Sequence, residues 1–271
     1  MDAIEVLTLI GGGLIGGITA GLLGLGGGPF YIYSLMTVMD DVPQHRLSVV
    51  LTAHSLAIIF LTSLWTIFNR FRNKTISWGL LRILLIPSFV ASLLVRTAMH
   101  IFGLSPGIFL TVFSVIVVVG SIAVLFKKET NNSQFISEDD LKKGMLTWMA
   151  FVSGALAALA GVGGGLIIIP LLVWFMKMPF KQTAIISIGV TLGVAIASVL
   201  VIGVECIISG CGEFMPLSIA LILLGVFPGV WLGILLHKIL PVKFVKMAYF
   251  TIIVLLIIRM AQRMGVLELI T

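Results

Sequence analysis

The sequence has little charge. Only 10% of its 271 residues are Asp, Glu, Lys or Arg, whereas 59% are hydrophobic, and an ordinary soluble domain carries about 25% charged residues. This composition excludes a soluble globular protein. The apolar stretches run for about 20 residues, the length of an α-helix that crosses a bilayer, and they lack the alternation of barrel strands. We therefore predict an all-α integral membrane protein.

Several catalytic and nucleotide-binding motifs are also missing. There is no GxxxxGK[ST] phosphate loop, so we expect that ATP hydrolysis within this chain does not drive its function. Neither an HExxH zinc pair nor a GxSxG elbow occurs. We expect no cofactor and no enzymatic activity. An intramembrane enzyme or an assembly subunit is the less favoured alternative.

Cysteine is scarce as well. Cys206 and Cys211 are the two in the chain, and both lie in the stretch ECIISGCGEF, which we interpret as a short loop. Their spacing fits neither a metal-binding quartet nor a CxxC redox pair. They are either unremarkable loop cysteines or a small disulfide, which requires an oxidising face of the membrane.

Glycine, by contrast, is concentrated at two matching places. Gly24–Gly28 (GLGGG) and Gly161–Gly165 (GVGGG) each interrupt an apolar run, and the polar stretch 127–145 lies between them. We predict a first membrane repeat over 1–126, a cytoplasmic linker over 127–145 and a second repeat over 146–271.

The basic residues indicate how the chain crosses the membrane, since Lys and Arg concentrate on the cytoplasmic side. If each glycine-rich stretch reverses the chain, 13 of the 17 basic residues share one face, and Arg46, Arg96, Arg259 and Arg263 lie opposite. Without reversal the division is an uninformative 10 to 7. Because these charges report topology, the net charge of +6 predicts no nucleic-acid partner.

Reversal gives ten membrane segments with both termini outside the cytoplasm. Five segments per half is an odd number, so the second repeat is inverted relative to the first, as in many secondary transporters. Each glycine-rich element is either a full crossing or a re-entrant hairpin. The predicted segments are 4–23, 29–40, 47–68, 78–100, 105–126, 146–160, 166–178, 183–204, 215–237 and 244–262.

The glycines themselves suggest a binding site for an anion. A break in a membrane helix leaves backbone groups that lipid cannot bond, so it must be buried in protein or face water. Glycine permits successive N–H groups to point into one concavity, and the next helix presents its positive N-terminus there. The alternative is close helix packing, as for Gly12 and Gly16. The predicted backbone ligands are Gly26, Gly27, Gly28, Gly163, Gly164 and Gly165.

Polar side chains lie at comparable depth in two later segments. Thr52, His54 and Ser55 fall in the first half, and Ser187 and Thr191 in the second. We predict that they line the site, although such hydroxyls commonly bond to their own helix. His54 either binds the anion or relays a coupled proton, or it is a neutral histidine bonded to a neighbouring helix.

The two glycine elements, the continuation GVGGGLIIIPLL and the downstream MPFKQTAIISIGVT resemble the TauE/SafE family of sulfite exporters. Ser187 matches a Thr-Ser element of that family, with Ile186 replacing its threonine. The resemblance implies a bacterial or archaeal inner-membrane exporter of a small anion, such as sulfite or an organosulfonate. Coupling to protons or to the membrane potential would drive it; a passive anion channel is the alternative.

The topology predicts that a reporter fused after Thr271 lies outside the cytoplasm. We expect a C-terminal alkaline phosphatase fusion to be active and a C-terminal green fluorescent protein fusion to be dark. A fusion at 135, in the linker, is the control and should give the opposite pattern. Bright fluorescence at the C-terminus would contradict the reversal at the glycines.

Overall fold

The computed structural model describes residues 2–39, 44–73, 76–102, 142–160, 163–209 and 215–263, with residues 120, 122 and 124. Within these ranges all regular elements are helices, and nine of them have described bounds. They are α1 (Ala3–Leu23), α2 (Gly28–Met36), α3 (Gln44–Arg72), α4 (Trp78–Phe102), α5 (Lys143–Ala160), α6 (Gly165–Phe175), α7 (Phe180–Ser209), α8 (Pro216–Ile239) and α9 (Val242–Arg263).

Five of these helices, α1, α3, α4, α7 and α8, are long and apolar enough to cross a membrane. The all-helical membrane architecture is therefore confirmed for the described ranges. Helices α5 and α6 are apolar but shorter. The predicted segment 105–126 lies outside the described residues, apart from the three helical positions at 120, 122 and 124.

Two predicted boundaries differ from the structure. Helix α5 begins at Lys143, so the last three residues of the predicted linker are helical, while 127–141 lie outside the described ranges. Helix α7 continues to Ser209 and includes the backbone of Cys206, so the loop predicted there was wrong. The run CIIS carries no helix breaker, which lets the helix continue. Cys211 lies outside the described residues, and the disulfide remains a prediction.

The first glycine-rich element reverses the chain. Helix α1 ends at Gly24, whose φ of 69° is left-handed and whose N–H donates to Ala20 O over 2.9 Å. Gly26 and Gly27 also have positive φ, 82° and 77°, a conformation that other residues adopt only under strain. Helix α2 then runs back along α1.

Side-chain positions define this antiparallel hairpin. The ring of Tyr31 fills the space beside Gly16, and the hydroxyl of Ser34 fills the space beside Gly12, so later residues of α2 meet earlier residues of α1. With nine residues, α2 is about 14 Å long at 1.5 Å per residue. It is too short to span about 30 Å of hydrocarbon.

Glycines bring α1 and α8 into backbone contact. A Cβ built on Gly17 would lie 3.1 Å from Gly229 Cα, and one built on Gly21 would lie 3.1 Å from Gly233 Cα. The pairing ascends in both helices, so α1 and α8 run parallel. Small residues permit such close approach between membrane helices, where packing drives association. Gly12 and Gly16 instead make room for α2, so close packing is confirmed for these two residues.

Two further pairs of helices also run parallel. In α3 and α8, His54 bonds Met215 over 2.9 Å, and further along the rings of Trp65 and Phe227 are 5.1 Å apart. In α4 and α7, Gly189 lies against Leu84, and the later Gly193 lies against Phe89. Helix α4 also packs on α5, where the Ser92 hydroxyl donates to Gly154 O over 2.9 Å.

Replacing Gly17 by leucine should destabilise the fold. Its Cβ would lie 3.0 Å from Val230 N, so the side chain must push α8 away. We expect the free energy of unfolding to fall by about 1–3 kcal/mol, the usual effect of overpacking. Denaturation in mixed micelles measures it. Gly11→Leu is the control, because nothing lies within 4 Å of a Cβ there; equal stability of the two variants would contradict this packing.

Candidate functional site

The two glycine-rich breaks lie directly against each other. A Cβ built on Gly163 would lie 2.7 Å from Leu25 O, and one on Gly165 would lie 2.6 Å from Gly24 O. Residues 21–28 and 163–170 are all buried. The first break therefore turns carbonyl oxygens towards the second.

One hydroxyl of α7 joins the two breaks. Thr191 Oγ1 accepts a hydrogen bond from the N–H of Gly165 at 3.1 Å, and it lies 3.0 Å from Gly24 O, to which it donates. Ser187, one turn earlier on the same face, lies 3.1 Å from Leu23 O and also 3.1 Å from Ala184 O of its own helix, so its hydroxyl donor is shared between these two carbonyls. Both side chains are fully buried. The structure thus brings the predicted residues Ser187 and Thr191 to the point where the breaks meet.

The end of α1 receives four side-chain donors from three other helices. The last carbonyls of a helix have no partner within it, and lipid offers none. Here four successive carbonyls accept hydrogen bonds from side chains. The pairs are Gly21 O with Arg70 (2.6 Å), Leu22 O with His237 (2.6 Å), Leu23 O with Ser187 (3.1 Å) and Gly24 O with Thr191 (3.0 Å).

The N–H groups of the first break are arranged differently. Those of Leu25, Gly26, Gly27 and Gly28 make no hydrogen bond within the described part of the chain, although all four residues are buried. An unpaired buried N–H costs about 1–3 kcal/mol. They precede the N-terminus of α2, where the helix dipole adds partial positive charge. Such a row of donors is suited to an anion.

Helix α3 covers the first break. The Ser55 hydroxyl donates to Gly28 O over 3.4 Å, and a Cβ on Gly26 would lie 3.0 Å from the Ile59 side chain. Further along α3, Thr62 lies 3.1 Å from the hydroxyl of Tyr31. Of the polar residues predicted in this helix, Ser55 is the one whose contact with the break is seen.

His54 makes other contacts. Its Nδ1 lies 2.8 Å from Val50 O, and its Nε2 accepts the N–H of Met215, the residue before α8. A carbonyl only accepts, so Nδ1 donates and the ring is neutral in this arrangement. This geometry matches one of the alternatives that the sequence left open for His54, a neutral histidine bonded to a neighbouring helix. Thr52 is partly exposed.

The second break is braced by α7 and α9. A Cβ on Gly164 would lie 3.3 Å from the Val194 side chain, and the Tyr249 hydroxyl donates to Leu166 O over 3.0 Å. The N–H groups of Gly163 and Gly164 make no hydrogen bond to the residues described here. Gly161 and Val162 lie outside the described ranges.

Arg70 and His237 were not predicted to contact the break. The third segment was predicted to end at 68, which left Arg70 in a loop, but α3 continues to Arg72, and Arg70 is only 1% exposed. The assignment was wrong because a long cationic side chain is held in the membrane by a helix C-terminus, which attracts positive charge. A break in α1 indicates that the helix end needs hydrogen-bond donors, but it does not indicate which side chains supply them.

These features define a class: a multi-pass helical membrane protein with broken helices buried at its centre, as in membrane transporters. The family model for the sulfite exporter TauE/SafE matches residues 9–260. The chain belongs to the TauE/SafE family. The resemblance found in the glycine motifs is confirmed.

A relative agrees with this assignment. The chain is 28% identical over 194 residues to the "Probable membrane transporter protein MJ0441" of Methanocaldococcus jannaschii. The alignment covers 66% of this chain and 65% of the relative, slightly less than two thirds of its length. Both names indicate a membrane transporter rather than an enzyme. No solved structure matches the chain.

Thr191→Val should loosen the contact between the breaks. Valine keeps the shape but leaves Gly24 O and Gly165 N–H without this partner, so we expect a loss of about 1–3 kcal/mol in unfolding free energy. Thr191→Ser should retain most of the stability. Ser198→Ala is the control, because that hydroxyl donates to Val194 O of its own helix. Thermal unfolding in detergent measures all three, and a Thr191→Val protein as stable as the control would contradict the bridging role.

Proposed function

We propose that this protein is a secondary transporter that exports a small sulfur-containing anion, such as sulfite or an organosulfonate, by alternating access. The anion site lies at the two glycine-rich breaks. The observation that carries the proposal is the row of buried N–H groups from Leu25 to Gly28, which have no hydrogen-bond partner among the described residues. The family and the relative's name support a transporter, and the backbone chemistry favours an anion.

The predicted residues take different roles in this proposal. The backbones of Gly26, Gly27 and Gly28 supply donors in the first repeat, and those of Gly163 and Gly164 supply them in the second. Glycine is required because a side chain would fill the break. A Cβ on Gly27, for example, would lie 2.5 Å from the Tyr31 hydroxyl.

The side chains shape this site. Ser55, Ser187 and Thr191 hold the carbonyls of the breaks, which keeps those acceptors away from an anion. Gly165 donates to Thr191, and its missing side chain lets the two breaks touch. We place Thr52 and His54 at the edge of the site, where His54 joins α3 to α8.

Helix directions support ten segments in two inverted repeats. The hairpin of α1 and α2 reverses the chain at the first break. We take the chain to cross the membrane once over 105–126. If the second break then did not reverse the chain, α3 and α8 would run antiparallel. The parallel directions of α3 with α8, and of α4 with α7, agree with reversal at both breaks.

The helix contacts also correspond between the halves. Helix α1 packs on α8, and its counterpart α5 packs on α4, the counterpart of α8. Helices α3 and α7, themselves counterparts, pack on each other. Matching contacts between counterpart helices are expected when a pseudo-two-fold axis in the membrane plane relates the two halves. Alternating access is commonly built on such an axis.

The drive proposed for export is electrical, with proton coupling as an addition. A membrane potential that is negative inside favours the exit of an anion by about 2.3 kcal/mol per charge per 100 mV. The location that follows is the inner membrane of a bacterium or archaeon. The 13 to 4 division of basic residues favours termini outside the cytoplasm.

Uptake of radiolabelled sulfite into proteoliposomes tests the proposed site. We expect saturable uptake, with competition from unlabelled sulfoacetate or thiosulfate. Gly27→Val and Gly164→Val should each lower uptake at least tenfold, because the added side chain fills the break. Unlabelled sulfate and chloride complete the competition series and rank the substrates.

The control for these variants is Gly11→Val, which also adds a β-branched residue to α1 but meets nothing within 4 Å. All variants are compared at equal amounts of monodisperse protein. Uptake unchanged by Gly27→Val and Gly164→Val would refute the backbone site. Flux that never saturates would favour a passive anion channel.

A further inference from the structure

We propose that Arg70 and His237 form a second anion station, on the cytoplasmic side of the first break, that selects an oxyanion carrying an O–H group, such as hydrogen sulfite. The inference rests on the proposed transport function. Arg70 donates to Gly21 O and His237 to Leu22 O, both over 2.6 Å. The two basic groups therefore lie at neighbouring carbonyls, about one turn before the break at Gly24.

The second nitrogen of His237 points to a ligand. Because Nδ1 donates to Leu22 O, the neutral ring has its lone pair on Nε2. That atom is buried and makes no close hydrogen bond to the described residues; the backbone carbonyl of Lys181, itself an acceptor, lies near the ring, and the residue is 5% exposed. An unpaired buried acceptor is unfavourable. A ligand that satisfies it must bring a donor, such as the O–H of a protonated oxyanion.

The charges around His237 favour a negative ligand. His237 lies within electrostatic range of Arg70 and of Lys181, at the start of α7. Arg70 is 1% exposed, and its guanidinium carries five donors in a planar fork suited to oxyanions. A small anion with one O–H thus meets a positive charge on one side and an acceptor on the other.

The position of this pair suits a station between the surface and the break. One residue beyond His237, the exposed Lys238 donates to Asn73 over 3.0 Å, and Asn73 directly follows the end of α3, three residues after Arg70. Polar surface therefore lies about one turn to one side, and Gly24 lies on the other. The basic residues of this end belong to the predicted cytoplasmic face.

His237→Asn separates the station from a purely structural role. The asparagine amide keeps a donor for Leu22 O at a reach close to that of Nδ1, but it lacks Nε2. We compare uptake of hydrogen sulfite with that of methanesulfonate, which has a similar shape and charge and no O–H. The KM for hydrogen sulfite should rise about tenfold in this variant, as for the loss of one hydrogen bond to a charged group, with unchanged thermal stability.

The ratio of the KM values for hydrogen sulfite and methanesulfonate is the decisive quantity. In the wild type, hydrogen sulfite should have the lower KM, and in His237→Asn the two KM values should converge. Arg70→Lys should retain most of the affinity for both anions, and Arg70→Gln should lose it for both. A His237→Asn protein with the wild-type preference would overturn the station, as would Arg70→Gln with unchanged KM values.

Binding is followed separately by ¹⁵N NMR of imidazole-labelled protein in nanodiscs. Hydrogen sulfite should shift the His237 Nε2 signal saturably, while an equal concentration of chloride should not; the signal is assigned by its loss in His237→Asn. If this shift persists in Gly27→Val while that variant transports normally, the glycine site fails and the station stands. An unmoved signal in a wild type that transports sulfite overturns the station alone.

Discussion

The C-terminal end of α1 is the constraint on which the rest of this structure depends. A helix that ends within the membrane leaves its last carbonyls where neither lipid nor the helix can bond them. Four side chains meet this requirement, and α3, α7 and α8 must all approach the same point to supply them. The glycines of α1 and α8 let the helix backbones come close enough for His237 to reach Leu22.

Because its carbonyls are hydrogen-bonded, the first break is left with N–H donors rather than acceptors. The side chains that surround α1 supply donors, so the acceptors of residues 21–24 are occupied. No comparable set of acceptors meets the N–H groups of Leu25 to Gly28 within the described residues. The uncompensated groups are thus donors, next to the positive end of α2. This asymmetry, more than the presence of glycine, favours an anion over a cation as the cargo.

Much of the fold could be predicted from the sequence, because lipid imposes simple rules on composition and length. Segments such as 4–23 and 78–100 agree with α1 and α4 to within about two residues, and two matching glycine elements indicated paired breaks. Ser187 and Thr191 were predicted from their depth, and the structure places both where the two breaks meet. These signals are local or periodic, so one sequence is enough to read them.

The remaining site residues depend on contacts between distant parts of the chain. Arg70 looked like a loop charge because its partner, Gly21 O, is a backbone atom 49 residues away and leaves no mark on the sequence. His237 bonds a carbonyl 215 residues away. His54 was singled out for its depth, but depth does not reveal that Met215 occupies its Nε2. Partners of this kind become visible only when the helices are packed.

The donors at the end of α1 also explain why the two halves form one unit. Arg70 belongs to the first half, whereas Ser187, Thr191 and His237 belong to the second. The first break is therefore completed by side chains that its own half of the chain does not contain. A first half folded alone would leave three of these carbonyls without their side-chain donors, each costing about 1–3 kcal/mol. Because Thr191 contacts both breaks, a movement that separates the two halves must break its hydrogen bonds, which couples the conformation of one break to that of the other.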